Sequence, residues 1–113
     1  MKKGLQCLSK TERKVINSFV KELREKLGDD IITICLFGSK VRGDFEKYSD
    51  IDIFILVRKR RDMRDKISDI AANYFFEYNV PLSPLVYSLF EYKKNRELGS
   101  FFFEQVEKEG VTL

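Results

Sequence analysis

"LFGSKVRGDFEKYSDIDIFILV", residues 36–57, decides how this chain is read. Two aspartates, Asp50 and Asp52, stand one residue apart at the head of an apolar run, and Gly38-Ser39 precedes them with ten residues between. A plain structural strand needs neither feature. Asp50 to Val57 is expected to form a strand. Its odd positions carry Ile51, Ile53, Ile55 and Val57, and its even positions carry Asp50, Asp52, Phe54 and Leu56. Apolar residues on both faces predict a central strand covered on both sides. Upstream, "IITICLF" (Ile31 to Phe37) is short, apolar and rich in β-branched residues, and predicts a partner strand. The polar connection from Lys40 to Ser49, broken by Gly43, is short for a parallel crossover, which takes roughly a dozen or more residues and usually a helix. The two strands are therefore expected to run antiparallel, which brings Gly38-Ser39 and Asp50/Asp52 to one edge of the sheet.

At that edge the residue types carry chemistry. Side chains two apart on a strand share a face, about 6.5 Å apart along the backbone. Two carboxylates so placed repel each other and are costly beside apolar neighbours unless a cation or donors compensate. Oxygen donors without His or Cys suit a hard divalent ion. Mg²⁺ keeps waters and accepts substrate phosphates in its shell. Gly38 permits close approach of a phosphate to the backbone, and the N–H groups of Gly38 and Ser39 with the Ser39 hydroxyl can donate to its oxygens.

Around this centre the remaining pattern is α/β. "LSKTERKVINSFVKELREKLGDD" predicts a first helix, with Val15, Ile16, Phe19, Val20, Leu23 and Leu27 on one face, a Ser9/Glu12 capping box and Gly28 as its stop. A second helix follows the aspartate strand, with Asp62 as a possible N-cap and Met63, Ile67, Ile70, Ala71, Tyr74 and Phe75 as its stripe. "VPLSPLVYSLF" carries a third strand near Leu82 to Tyr87, which its two prolines assign to an edge or a bend. Ser88 and Glu91 have capping-box spacing for a short helix, Gly99 breaks it, and Ser100 can cap a last helix that Gly110 ends before "VTL". The order α-β-β-α-β-α-α, with a possible final β, predicts one domain over residues 1–113 built on a small mixed sheet.

Composition sets the outer limits. A chain of 113 residues with 43% hydrophobic and 35% charged residues suits one compact core. The formal charge of +3 makes no large uniform positive field, so composition does not demand a nucleic-acid partner. There is no His, which excludes His-based general-base chemistry and His-ligated zinc. Cys7 and Cys35 make no disulfide framework, and Cys35 is read as a buried thiol. No apolar run approaches the ~20 residues of a membrane span, and no signal peptide is evident, so a cytoplasmic location and no membrane partner are expected.

Gly38-Ser39, ten residues, then Asp50-Ile51-Asp52 resembles the GS-x10-DxD signature of the DNA polymerase β-like nucleotidyltransferases. The length and element order resemble their minimal branch, over nearly the whole chain. The resemblance implies a nucleotidyltransferase palm, a mixed sheet with helices packed against it. It implies that Asp50 and Asp52 bind Mg²⁺, one ion or two, and that the Gly-Ser turn holds the phosphates of a nucleoside triphosphate, ATP above all. The implied reaction moves a nucleoside monophosphate to an acceptor hydroxyl of a protein or RNA and releases pyrophosphate. Some members of the branch act as antitoxins, pairing with a HEPN-type protein and modifying it with AMP. Active members usually bring a third carboxylate from a neighbouring strand. Here Leu82, Ser83 and Pro84 are expected at that place, and Glu77 and Glu91 lie off it. A second reading is therefore carried along, a module that binds nucleotide or a partner without turnover.

Lys40 and Arg42 follow the turn and are read either as triphosphate contacts or as solvated loop charges. Asp44 and Glu46 are read as solvent-facing. "RKRRDMR" (residues 58–64) is a locally basic run, either solvated or facing RNA or an acidic partner. Phe101, Phe102 and Phe103 span roughly 200° of a helix and cannot share one face, which points to a homo-oligomer or a bound partner.

Overall fold

In a computed structural model of the chain, residues 8–38, 50–59, 62–97, 99 and 101–113 are described, with the side chains of 101–103 and 105 left out of the account. Ser9 opens the first helix as its spacing predicts. Its hydroxyl accepts the Glu12 N–H at 3.1 Å while the Glu12 carboxylate accepts the Ser9 N–H at 2.8 Å. The helix, α1, runs Lys10–Leu27 and buries Val15, Ile16, Phe19, Leu23 and Leu27. Gly28 does not stop it in the left-handed conformation that a glycine stop usually takes. At φ −49° and ψ −45° it continues right-handed into a 3₁₀ turn, Gly28–Asp30, and the Ile31 N–H returns to the Gly28 carbonyl.

The sheet has order β3-β2-β1-β4, with β1 at Ile31–Phe37, β2 at Ile51–Val57, β3 at Leu82–Ser88 and β4 at Val111–Thr112. β1 runs antiparallel to β2 and to β4, and β2 runs parallel to β3. β3 is an edge strand, the place where Pro84 withholds no ladder donor from a neighbour. Between Ile31 and Thr33 the β1–β2 register shifts. That irregularity re-phases the strand, so Ile31, Ile34 and Leu36 are all buried while Ile32 is left exposed.

β2 is covered on both faces. Ile51, Ile53, Ile55 and Val57 are fully buried in the larger core with α1 and with α2, Met63–Tyr78. Phe54 and Leu56 enter a second core with Tyr87, with Leu89 and Tyr92 of α3 (Leu89–Glu97), and with Val106 of α4 (Phe101–Glu109). Phe54 stacks on Tyr87 at 5.8 Å between centroids. β3 passes into α3 with no connection. There Ser88 and Glu91 form the expected second capping box, at 3.0 and 3.1 Å.

Three local expectations are corrected. Asp62 occupies the N-cap position of α2, but at φ 57° its side chain makes no cap hydrogen bond. Side-chain capping needs an extended N-cap backbone, and the left-handed one turns the carboxylate away from the first turn. Phe75 does not join the buried stripe and stays 46% exposed. Tyr74 takes the inward place, edge-on to Phe19 at 6.0 Å, and donates its hydroxyl to Glu22 at 2.8 Å. Phe75, one residue further round the helix, falls on the flank. Cys35 is half-buried rather than enclosed, with Sγ 4.0 Å from the Thr33 and Thr112 hydroxyls, because β4 covers that face with only two residues. Ser100 and the side chains of Phe101, Phe102 and Phe103 lie outside the described residues.

Candidate active site

The antiparallel ladder ends with Phe37 opposite Asp52, so Gly38 is the first residue past the last pair. Gly38 is buried and has φ +84°, a conformation that side chains other than glycine rarely adopt. The Asp52 carboxylate lies directly over it. A Cβ on residue 38 would overlap the Asp52 Oδ2 and stand 3.2 Å from its Cγ and 3.3 Å from its Cβ. Glycine is thus required here twice, by the backbone and by the acid across the corner. This is the Gly38–Asp52 part of the juxtaposition that the sequence spacing predicts.

Asp50 precedes the first ladder residue and is exposed. The strand head is fixed beside it by the Ile51 N–H, which donates to the Pro81 carbonyl at 2.8 Å. Asp50 lines a cleft of about 380 Å³ between α2 and the start of β3, a surrounding distinct from that of the half-buried Asp52. On the β3 side, Ile51 pairs with Leu82, Asp52 with Ser83 and Ile53 with Pro84. The three residues expected beside the carboxylates are therefore the ones found, and none is acidic. Glu91 is committed to its cap, and Glu77 is exposed near the end of α2.

Among the described residues no group of three His, Cys, Asp or Glu side chains gathers as a metal centre. The strand head nonetheless offers donors of one kind, Asp52 at the glycine corner and Asp50 at the cleft, with Ser83 opposite Asp52 in the β3 register. An all-oxygen set with few protein ligands fits Mg²⁺, which retains water and takes the rest of its shell from phosphates. Ser39, Lys40 and Arg42, the other expected nucleotide contacts, lie outside the described residues, as do Gly43, Asp44 and Glu46.

Two hydrogen-bonded pairs away from the corner tie neighbouring helices together, α1 to α2 and α3 to α4. Lys26 and the Tyr74 hydroxyl hold the Glu22 carboxyl below the ordinary range, and burial with the Glu22 contact pushes the Tyr74 phenol up to about 12. Tyr92 donates to Glu107, joining α3 to α4, and its phenol is raised by burial first and by Glu107 second. The aromatic wall of the 380 Å³ cleft, Phe75 and Phe76, was not read as functional from sequence. Its only signal there is two consecutive phenylalanines, of which one lies outside the apolar stripe.

A mixed sheet whose glycine corner faces a strand-head carboxylate, with helices on both faces, is the palm of a nucleotidyltransferase. The nucleotidyltransferase domain profile matches residues 16–110, and the chain belongs to that family, within the DNA polymerase β-like superfamily. Two proteins of Methanocaldococcus jannaschii, each named "Putative protein adenylyltransferase", resemble it over most of their length. One is 32% identical over 101 residues, covering 88% of this chain and 95% of the relative. Another is 35% identical over 103 residues, covering 90% and 97%. A further protein of the same name and organism is 36% identical over 76 residues, or 64% of this chain and 52% of that one. The crystal structure of a "putative nucleotidyltransferase" from Sulfolobus solfataricus superposes with a TM-score of 0.55 at 20% identity, covering 99% of this chain and 86% of that one, a likeness of fold.

Proposed function

We propose that this chain transfers a nucleoside monophosphate, AMP from ATP, to a hydroxyl of an acceptor protein in a Mg²⁺-dependent reaction. The observation that carries the reading is the Asp52 carboxylate seated on a glycine that admits no side chain, at the head of the central strand. The names of the M. jannaschii relatives support the choice of AMP and of a protein acceptor. Asp50 and Asp52 would hold the metal, and Gly38, Ser39, Lys40 and Arg42 would meet the triphosphate. When bound, Mg²⁺ would neutralise phosphate charge and polarise the α-phosphate. The acceptor oxygen bonds to the α-phosphorus, the bond to the bridging oxygen of the β-phosphate breaks, pyrophosphate leaves and the hydroxyl proton passes to solvent. The chain's own share is orientation. The rigid Gly38–Asp52 contact fixes one carboxylate before substrate arrives. A HEPN-type protein as acceptor, antitoxin action and a cytoplasmic setting belong to this proposal.

The test uses α-labelled ATP, Mg²⁺ and the partner that co-purifies with the chain. Label is expected on the partner with wild-type protein and to be lost with Asp50→Asn and Asp52→Asn. Transfer that persists in both variants overturns the assignment.

Ser83 opposite Asp52, where an acid would serve as base, favours a second reading in which the site binds nucleotide without turnover. Mg²⁺-ATP binding without Asp52-dependent pyrophosphate release would select it.

A further inference from the structure

The cleft beside Asp50 has a composition that phosphate and metal binding do not use. Ser68, Ala72 and Phe76 follow one another at four-residue spacing on α2, so two small residues leave an open floor and a large ring closes its end. Phe76 is 83% exposed, and Phe75 meets it edge-on at 6.1 Å between centroids. Pro81 and Leu82 form the facing wall. A single exposed phenylalanine is unremarkable, but two touching rings that continue into an apolar cleft make a contiguous patch of the kind that marks an interaction surface.

The charges narrow the occupant. Among the described lining residues Asp50 is an acid and none is a cation. Asp65 and Asp69, a turn back along α2, are exposed. Arg64, on the same helical row as Ser68, is turned onto the Val86 carbonyl at 3.4 Å. A nucleic-acid strand would bring phosphates to a cleft without the cations that bind them. A polypeptide brings apolar side chains and no obligatory negative charge. Nor would it bind as an added strand across the whole β3 edge, since Pro84 has no N–H to offer a ladder. Recognition falls to side chains. Asp50 lines the same cleft, so a guest side chain lodged against Phe76 brings the adjoining part of its segment into the cleft that Asp50 borders.

Resting on the function proposed above, we infer that this cleft is the acceptor-docking site. It takes a segment of a partner polypeptide in which an apolar or aromatic residue stands next to the hydroxyl-bearing residue to be modified.

The chain contains no Trp, so a tryptophan peptide reports its own burial by fluorescence. The probe is N-acetyl-Lys-Leu-Trp-Tyr-Leu-Lys-amide, titrated with the full chain, with Mg²⁺-ATP affinity measured in parallel. Saturable, blue-shifted emission is expected, at least tenfold weaker in Phe76→Asp and weakened in Phe75→Ser, both retaining wild-type circular dichroism. Absence of saturable binding, or equal affinity in wild type and both variants, overturns the inference. So does displacement of the peptide by a 15-nucleotide oligouridylate, which would make the guest a nucleic acid. So does a wild-type dimer that Phe76→Asp converts to monomer in sedimentation, which would make it a second copy. Phe76-dependent peptide binding without any Mg²⁺-ATP binding would remove the transfer reaction and leave the cleft standing. Mg²⁺-ATP binding with Phe76-independent peptide binding removes the cleft alone.

Discussion

Gly38→Ala isolates the contact on which the site is built. At φ +84° an alanine backbone costs about 1–2 kcal/mol. Its Cβ also meets the Asp52 carboxylate. Oδ2 can swing aside, but Cγ at 3.2 Å and Cβ at 3.3 Å are carried by a strand buried on both sides and move little. Overpacking of this kind costs about 1–3 kcal/mol. The expected loss is about 2–5 kcal/mol against a total stability of roughly 5–15 for a domain of this class, or about 8–20 °C in melting temperature at roughly 4 °C per kcal/mol. Urea unfolding followed by far-ultraviolet circular dichroism measures it. The decisive comparison repeats the substitution in an Asp52→Ala background, where the backbone cost remains and most of the collision is gone. A coupling of about 1 kcal/mol or more between the two positions is expected. Mg²⁺-ATP affinity should fall in Gly38→Ala even where the protein is fully folded, since the displaced carboxylate no longer stands where the metal would need it. The reasoning fails if Gly38→Ala costs under about 0.5 kcal/mol, or costs the same in both backgrounds.

Other consequences follow from the same geometry. Ser83→Asp sets a carboxylate beside Asp52 on the neighbouring strand, and should lower stability by about 0.2–1 kcal/mol in chelator and recover it in millimolar Mg²⁺, as read by urea midpoints. Recovery that does not depend on Mg²⁺ would refute it. The Tyr74 phenol, raised from 10.0 to about 12, contributes stability that is fully present below pH 10 and lost as pH rises through 12. Absorbance titration at 295 nm should show a phenol ionising near pH 12, absent in Tyr74→Phe. Glu22 is depressed, so its contribution is present above its ordinary value of 4.5 and lost as pH falls through its lower folded value. Tyr74→Phe should shrink that acid-limb loss in the urea midpoint, and an unchanged limb would count against the pair. In the proposed transfer, Ser83 offers no carboxylate to take the acceptor proton, so a phenol (pKa about 10) should serve better than an aliphatic hydroxyl. Label transfer to the Tyr peptide should exceed that to its Ser counterpart and rise with pH, and parity between them would argue for a base elsewhere.

Much of this architecture was legible because a few local signals were strong. The ten-residue connection excluded a helix-borne crossover and so fixed β1 against β2. The helix after β2 set β3 parallel and placed Leu82, Ser83 and Pro84 at the strand heads. Both capping boxes formed because Ser and Glu three apart satisfy each other locally, whatever the tertiary context. What escaped reading depends on tertiary competition. Gly28 does end α1, but through a right-handed 3₁₀ turn rather than a left-handed cap, a choice its presence alone does not reveal. Phe75 belongs to the helical stripe until Tyr74 finds Phe19 and Glu22. The shift between Ile31 and Thr33 exchanges the faces of β1, which no alternation count reveals. The seating of Asp52 on Gly38 is likewise a matter of rotamer and twist, so spacing could place the pair at one edge and say nothing of contact.

The sheet also distinguishes the edge at which the proposed chemistry would sit from its opposite. The order β3-β2-β1-β4 sets the head of β2 between the tail of β1 and the head of β3, so three segments converge on Asp52. At the other end the same three strands meet again, but the chain closes that end tightly. A three-residue 3₁₀ turn joins α1 to β1, β3 runs straight into α3, and Arg58 fastens the tail of β2, its N–H to the Asp30 carbonyl and its Nε to the Asp29 carbonyl at 2.9 Å each. The polar connection between β1 and β2, by contrast, departs from the edge where Gly38 and the two aspartates stand. Stability and function are thereby separated along the same strand. The tail of β2 and its apolar middle hold the fold, and its head is free to carry charges that a purely structural strand would have no reason to keep.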